Sequence, residues 1–149
     1  MADAPRALVW GVGVVLCRGD RFLLGLRLGR HGHRSWGFPG GHVDGGEAVL
    51  ACAARELQEE TGLGLIRPRL IGWTEQPPLS GSGEAPRATL YVAGEATGEL
   101  RCLEPDKCER WVWFPRDRLP SPLFRPTQTF FDDALKPADG NTLPAGLRL

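Results

Sequence analysis

Gly41 to Leu63 read GHVDGGEAVLACAARELQEETGL, and this stretch decides how the rest of the chain is read. From Glu47 to Thr61 it contains neither glycine nor proline and is rich in Ala, Leu, Glu and Gln, and Gly62 stands where a helix-ending glycine belongs. The spacing predicts a helix over 47–61. On a wheel of about 100° per residue, Glu59 and Glu60 are the i+3 and i+4 neighbours of Glu56, so three carboxylates share one ridge. Leu50, Ala54, Leu57 and Thr61 follow the pattern of a stripe that packs on a sheet. Glu47 falls in the first predicted turn, where the helix dipole favours an acid. Like charges at this spacing repel by a few tenths of a kcal/mol per pair, a cost that a hard divalent cation, Mg²⁺ or Mn²⁺, removes.

Outward from the helix the chain reads as strands and turns. A strand is predicted from about Arg6 to Cys17, with a turn at Arg18-Gly19-Asp20 leading into Phe22 to Leu26. Gly29 to Ser35 has no periodicity and leads to a short strand, Trp36 to Phe38, which Pro39-Gly40-Gly41 ends. Leu70 to Thr74 and Ala88 to Ala93 read as strands separated by the Gly/Pro/Ser-rich loop 75–83, long enough to cover a site. Trp111 to Phe114 is a further strand, Thr127 is placed to cap a helix reaching to about Leu135, and the residues from Pro137 are expected to be loosely ordered. Strands interleaved with two helices predict an α/β sandwich in a single domain over residues 1–149.

Composition narrows the function. The 149 residues carry 18 basic and 18 acidic side chains, with no run of like charge to hold a long nucleic acid or a membrane surface. The apolar stretch Ala7 to Cys17 is too short for a membrane span and is broken by Gly11 and Gly13. Asp3 sits where a secretion signal would carry positive charge, so a cytoplasmic protein is expected. Cys17, Cys52, Cys102 and Cys108 fit neither a redox motif nor a zinc site, and reduced, structural thiols are the favoured reading.

The stretch 41–63 matches the Nudix box, G-x5-E-x7-R-E-U-x-E-E-x-G-U with U a bulky aliphatic, at every specified position: Gly41, Glu47, Arg55, Glu56, Leu57, Glu59, Glu60, Gly62 and Leu63. At average residue frequencies, its Gly, Glu and Arg positions would coincide by chance roughly once in 10⁸ to 10⁹ placements. The chain thus resembles the Nudix hydrolases. The resemblance implies an α/β/α sandwich with a mixed sheet, metal held by Glu56, Glu59, Glu60 and the carbonyl of Gly40, and a supporting pair in Arg55 and Glu47. One of the carboxylates serves as the base in that family, and which one differs between its branches. His31-Gly32, Trp36 to His42, Glu104 to Glu109, Trp111, Trp113 and Leu119-Pro120 are similar to the MutT-like branch, which releases a nucleoside monophosphate and pyrophosphate from a nucleoside triphosphate. Val112 stands where an acid is expected in that branch, and Glu109 is the nearest acid to serve as a further metal ligand, with Glu104 the weaker candidate.

Two other readings remain beside a Mg²⁺-dependent triphosphate pyrophosphohydrolase acting on a canonical or oxidised (deoxy)nucleotide. One is an ADP-ribose or dinucleotide pyrophosphatase, suggested by Pro77 and Pro78 after the box, and the other is a non-catalytic nucleotide-binding module. A small nucleotide is the expected partner in each, and the oligomeric state is open, a homodimer included. Trp36, Phe38 and Trp113 are core candidates of which one is free to stack a base; His31, His33 and His42 suit loop hydrogen bonds better than zinc. Cys52 suits packing, and Arg27, Arg34 and Arg87 suit either phosphate or solvent.

Overall fold

The computed structural model describes residues 7–78, 80–139 and 141–149, so Asp3, the predicted strand start at Arg6 and Leu79 of the 75–83 loop lie outside the described residues. Strands β1 (Val9–Arg18) and β2 (Arg21–Arg27) form the predicted hairpin but pair only beside its turn, at Cys17↔Phe22 and Arg18↔Arg21. Beyond that point each takes other neighbours. The short β3 (Trp36–Gly37) lies on β2, and β4 (Gly40–His42) lies antiparallel on β1 with Gly13 opposite Gly40. The sequence reads Pro39-Gly40-Gly41 only as a strand end. A turn-like composition conceals this strand because close approach is what the glycines provide: a Cβ on Gly40 would strike the carbonyl oxygen of Val12.

Strand β5 (Gly64–Gln76) pairs antiparallel with β6 (Arg87–Thr97), which runs parallel to β1 over Val9 to Leu16, and β7 (Cys108–Pro115) pairs with β2. The resulting seven-stranded mixed sheet has the order β3-β2-β1-β6-β5, with β4 also on β1 and β7 also on β2. β5 is longer than predicted because it passes Pro68 through a register shift between Ile66 and Arg69, a place where a strand tolerates a residue without an N–H.

Helix α1 (Val49–Thr61) covers one face of the sheet, packing Val49, Cys52, Ala53 and Leu57 on Val12, Val14, Leu90 and Val92. The buried stripe is rotated from the predicted one: Leu57 and Thr61 are buried, whereas Leu50 and Ala54 are only half-buried. Helix α2 (Arg125–Phe131) covers the opposite face, where Phe130 and Phe131 pack with Phe22, Phe38 and Tyr91. Helices on both faces of a mixed sheet make the expected α/β/α sandwich. Thr127 is not the cap of α2; Phe124 holds that position, the helix ends at Phe131, and the buried Thr127 hydroxyl accepts the N–H of Phe38 at 3.3 Å.

Helix α1 starts two residues later than predicted, after Ala48, which offers no side-chain cap. Its first amides are satisfied by the end of the described chain, where the carbonyl oxygens of Arg148 and Leu149 accept the N–H groups of Val49 and Leu50 at 2.8 and 3.3 Å. Arg148 Nε also donates to the Gly46 carbonyl at 2.8 Å, and Ala138 is buried. Among the described residues after Pro137, Ala138, Leu143 and Leu147 pack on the core, where loose order was expected. Among the described residues no helix is long and apolar enough to cross a membrane.

Candidate active site

Two structural facts place the glutamate ridge. Helix α1 terminates at Gly62, whose φ of 76° is the left-handed conformation, so Glu59 and Glu60 occupy the last well-formed turn. Strand β4 then brings the Gly40-Gly41 backbone against the same helix. The Gly40 N–H donates to Glu60 Oε2 at 2.9 Å, and a Cβ on Gly41 would lie on the Glu56 carboxylate. A side chain at the box glycine would displace the carboxylate of the box glutamate.

Arg55 organises the other side of the ridge. Its Nε donates to Glu47 Oε2 at 2.7 Å and its Nη2 to Glu47 Oε1 at 2.9 Å, a bidentate pair. Nη1 donates to Glu56 Oε1 at 3.0 Å and reaches Glu59 at 3.3 Å. The guanidinium holds the Glu47 carboxyl down at about 2. Because α1 begins after Ala48, Glu47 precedes the helix rather than sitting in its first turn, and its carboxylate serves Arg55 and the Asp44 N–H.

The ridge is not uniformly exposed, contrary to what its polar composition suggests. Glu59 is half-exposed, but the Glu56 side chain retains only 15% of its accessible surface. Burial pushes Glu60 up to about 8, with the Gly40 N–H opposing and the charges of Glu56 and Glu104 adding to the rise. Burial also raises Glu56, against the pull of Arg55. The fourth acid felt by the ridge is therefore Glu104. Glu109 is paired elsewhere, with Arg34 at 3.6 Å and Arg110 at 3.8 Å.

Among the described residues no three acidic, cysteine or histidine side chains already converge on one point, since Arg55 occupies oxygens of Glu56 and Glu59. The donor set nevertheless fits a hard divalent cation. It offers oxygen donors only, two of the three acids are sheltered, and burial plus mutual repulsion penalises the charge of those two, the condition a cation relieves.

A cleft of about 440 Å³ adjoins the ridge across Gly40 and Gly41. Gly11 and Gly13 of β1 line it without side chains, and Phe38, Phe124 and Pro77 give it apolar walls. Arg27 and Arg87 line it too. Arg27 stacks 3.9 Å from the Phe124 ring centre, lies within reach of the Glu60 charge, and donates through Nε to the His31 carbonyl. Arg87 Nη2 and His31 Nε2 lie 2.9 Å apart, and His33 Nδ1 meets the Leu28 carbonyl, so both histidines do loop hydrogen bonding. Arg34 instead faces Glu109. Of the three aromatic candidates, Trp36 and Phe38 are buried and Trp113 is half-buried under Arg18, and only Phe38 reaches the cleft. Cys52 is buried, with burial pushing its thiol up to about 12, and all four cysteines are free thiols.

Sequence reasoning passed over the polar residues Gln76, Thr89 and Tyr91 that line the cleft, and Thr74, which is hydrogen-bonded to two of them. Their signal is a pair of i, i+2 repeats, Thr74/Gln76 and Thr89/Tyr91, which places each pair on one face of its strand.

Comparisons with known proteins agree with this geometry. The NUDIX domain family model matches residues 7–134. An RNA pyrophosphohydrolase from Tolumonas auensis is 31% identical over 119 residues, covering 68% of this chain and 67% of the relative. The chain thus spans about two thirds of the length of the curated relatives it matches. Among solved structures, a MutT NUDIX hydrolase from Burkholderia pseudomallei superposes with a TM-score of 0.79 and 30% identity over 85% of this chain and 98% of its own. The NUDIX domain of Shewanella oneidensis NrtR, solved with ADP ribose, shares the fold at a TM-score of 0.68 and 18% identity, with 87% of each chain covered. By its box, its sandwich and these matches, the chain belongs to the Nudix hydrolase family.

Proposed function

We propose that this chain hydrolyses a nucleoside triphosphate, canonical or oxidised, to the nucleoside monophosphate and pyrophosphate, with Mg²⁺ or Mn²⁺ held by Glu56, Glu59, Glu60 and the Gly40 carbonyl. The observation that carries the reading is the ridge itself: three carboxylates gripped by Arg55 on one side and Gly40-Gly41 on the other, at the mouth of a 440 Å³ cleft. A bound divalent cation supplies charge neutralisation on the phosphate oxygens and lowers the pKa of a water. Arg55 keeps Glu56 and Glu59 oriented, and Glu47 fixes Arg55, so these two residues position the ridge. Arg27 lies between ridge and cleft, where its guanidinium meets the anionic chain of the substrate. One ridge carboxylate accepts the proton of the attacking water. Glu109, paired with Arg34 and Arg110, is a weaker further ligand than Glu104, whose charge reaches Glu56 and Glu60.

A second reading, removal of pyrophosphate from the 5′-triphosphate end of an RNA, draws support from the names of the curated relatives and needs the same ridge chemistry. An ADP-ribose or dinucleotide pyrophosphatase draws support from Pro77 and Pro78 in the cleft wall. Product analysis separates all three. The purified chain is supplied with canonical and oxidised triphosphates, a 5′-triphosphorylated oligonucleotide, ADP-ribose and NADH, with Mg²⁺ or with chelator. Metal-dependent pyrophosphate from free triphosphates is expected; turnover restricted to the oligonucleotide or to ADP-ribose moves the assignment, and binding without any turnover indicates a nucleotide-binding module.

A further inference from the structure

The polar residues that close the cleft form a chain of hydrogen bonds whose direction can be worked out. Tyr91 is fully buried, and its hydroxyl lies 2.6 Å from the carbonyl oxygen of Pro126. A carbonyl only accepts, so the single proton of Tyr91 is committed to it. Burial pushes the Tyr91 hydroxyl up to about 12, so that proton stays in place at working pH. Thr74 Oγ1 lies 2.8 Å from the Tyr91 oxygen and must donate to it, because Tyr91 has no second proton. Thr74, also buried, can then only accept from its other neighbour, the side-chain amide of Gln76. This turns the Gln76 nitrogen toward Thr74 and leaves its Oε1 facing Thr89, whose Oγ1 donates to it at 3.0 Å.

Polarity set at Pro126 is thereby passed through three side chains to Thr89. Tyr91, Thr74 and Gln76 are 0%, 2% and 6% exposed, whereas Thr89 is half-buried and lines the cleft. It lies beside Gly13, which lines the same cleft without a side chain and faces the Thr89 methyl. A free threonine hydroxyl can turn to donate or accept, and it carries no preference between ligand groups. This one has its proton committed inward, and what it offers outward is lone pairs alone.

We infer that Thr89 is a specificity-determining residue whose hydroxyl acts only as an acceptor, selecting a nucleobase that presents an N–H donor, exocyclic amino or ring N–H, at the edge facing it. The inference deepens the nucleotide assignment above and rests on it. The hydroxyls of Tyr91 and Thr74 are spent within the relay, so these two are positioning residues that fix which way the last hydroxyl points. Gln76 is locked in one amide orientation by the same relay, with its nitrogen toward Thr74 and its Oε1 toward Thr89.

The test measures binding of nucleoside 5′-monophosphates to the full chain by calorimetry, using pairs that differ by one donor. AMP is compared with purine-riboside monophosphate, GMP with IMP, and IMP with its 1-methyl derivative. Wild-type protein is expected to lose about tenfold in affinity when the donor facing Thr89 is deleted. Thr89→Ser, which keeps the hydroxyl, retains that difference, and Thr89→Val reduces it below about twofold. Tyr91→Phe, which removes only the hydroxyl that faces Pro126 and Thr74, also flattens the difference, because Thr74 is then free to reverse and Gln76 to flip; a purely structural role for Tyr91 would weaken both members of a pair alike. If Tyr91→Phe does not fold, the two Thr89 variants decide the matter.

Equal binding within all three pairs, no binding of any monophosphate, or a preference that survives in Thr89→Val overturns the inference. Turnover of nucleoside polyphosphates, followed in the same preparations, separates the two ideas. Donor preference without turnover removes the catalytic assignment and keeps the inference, and turnover without donor preference does the reverse.

Discussion

Arg55 carries more of the site than its surface position implies. One guanidinium spans Glu47, Glu56 and Glu59 at 2.7, 3.0 and 3.3 Å, so it both neutralises and aims two of the three ridge carboxylates. A lysine has one donor point and no planar fork, and it cannot hold the bidentate pair with Glu47 while reaching the ridge. Arg55→Lys is expected to lower turnover and apparent Mg²⁺ affinity by about 10- to 100-fold, read from rate against metal concentration, while the melting temperature moves little. The partner acid gives a pH signature. With its folded pKa held at about 2 against an ordinary 4.5, Glu47 contributes stability above pH 4.5 that is lost as pH falls from 4.5 through 2. Wild type is expected to be more stable than Glu47→Gln near pH 6, with the gap closing by pH 2 in denaturant titrations. Box spacing made both residues legible. The resemblance implied them as a pair; what was not legible is that Glu47 precedes the helix and binds Arg55 through both carboxylate oxygens, because helix propensity ran the predicted first turn two residues too early.

Helix α1 is anchored at both ends by features that differ in visibility. Gly62 was readable because a left-handed residue after a helix is glycine's office, and its φ is 76°. Gly62→Ala is expected to cost about 1 kcal/mol, a drop of a few degrees in melting temperature for a chain of this size. The N-terminal anchor was invisible: Ala48 has no capping side chain, and the acceptors come from the Arg148 and Leu149 carbonyls, about a hundred residues away in sequence. No local pattern announces a backbone acceptor from a distant segment. Removing residues 143–149 is expected to lower stability by about 1–2 kcal/mol, the scale of a lost helix cap, measured by chemical denaturation. The short β4 was hidden for a similar reason, since Pro39-Gly40-Gly41 reads as a turn until β1 is seen to lie against it.

At the scale of the whole molecule, the sheet's mixed topology explains why ridge and cleft adjoin. β1 and β2 part after their turn, and the chain crosses from β3 on one to β4 on the other, delivering Gly40 and Gly41 to the ridge on one side and to the cleft on the other. Sequence periodicity announced the layers and the ridge, but not the cleft, whose polar closure comes from four side chains of two strands and a carbonyl of α2. The ridge's partial burial also changes the expected cost of neutralising it. Charge on Glu60 is disfavoured by burial, so Glu60→Gln should leave the metal-free protein as stable as wild type or more so at pH 8. Its effect on catalysis should be large nonetheless, because the substitution removes an anionic donor from the metal site.

The most direct test is therefore the rate of pyrophosphate release from the best triphosphate substrate, compared between wild type and Glu59→Gln and Glu60→Gln variants across a Mg²⁺ titration. The ridge as catalytic metal site predicts that chelator abolishes wild-type turnover and that each variant, fully folded, is slower by about two to four orders of magnitude at saturating Mg²⁺. Wild-type rates in both variants, or a rate indifferent to chelator, would contradict it.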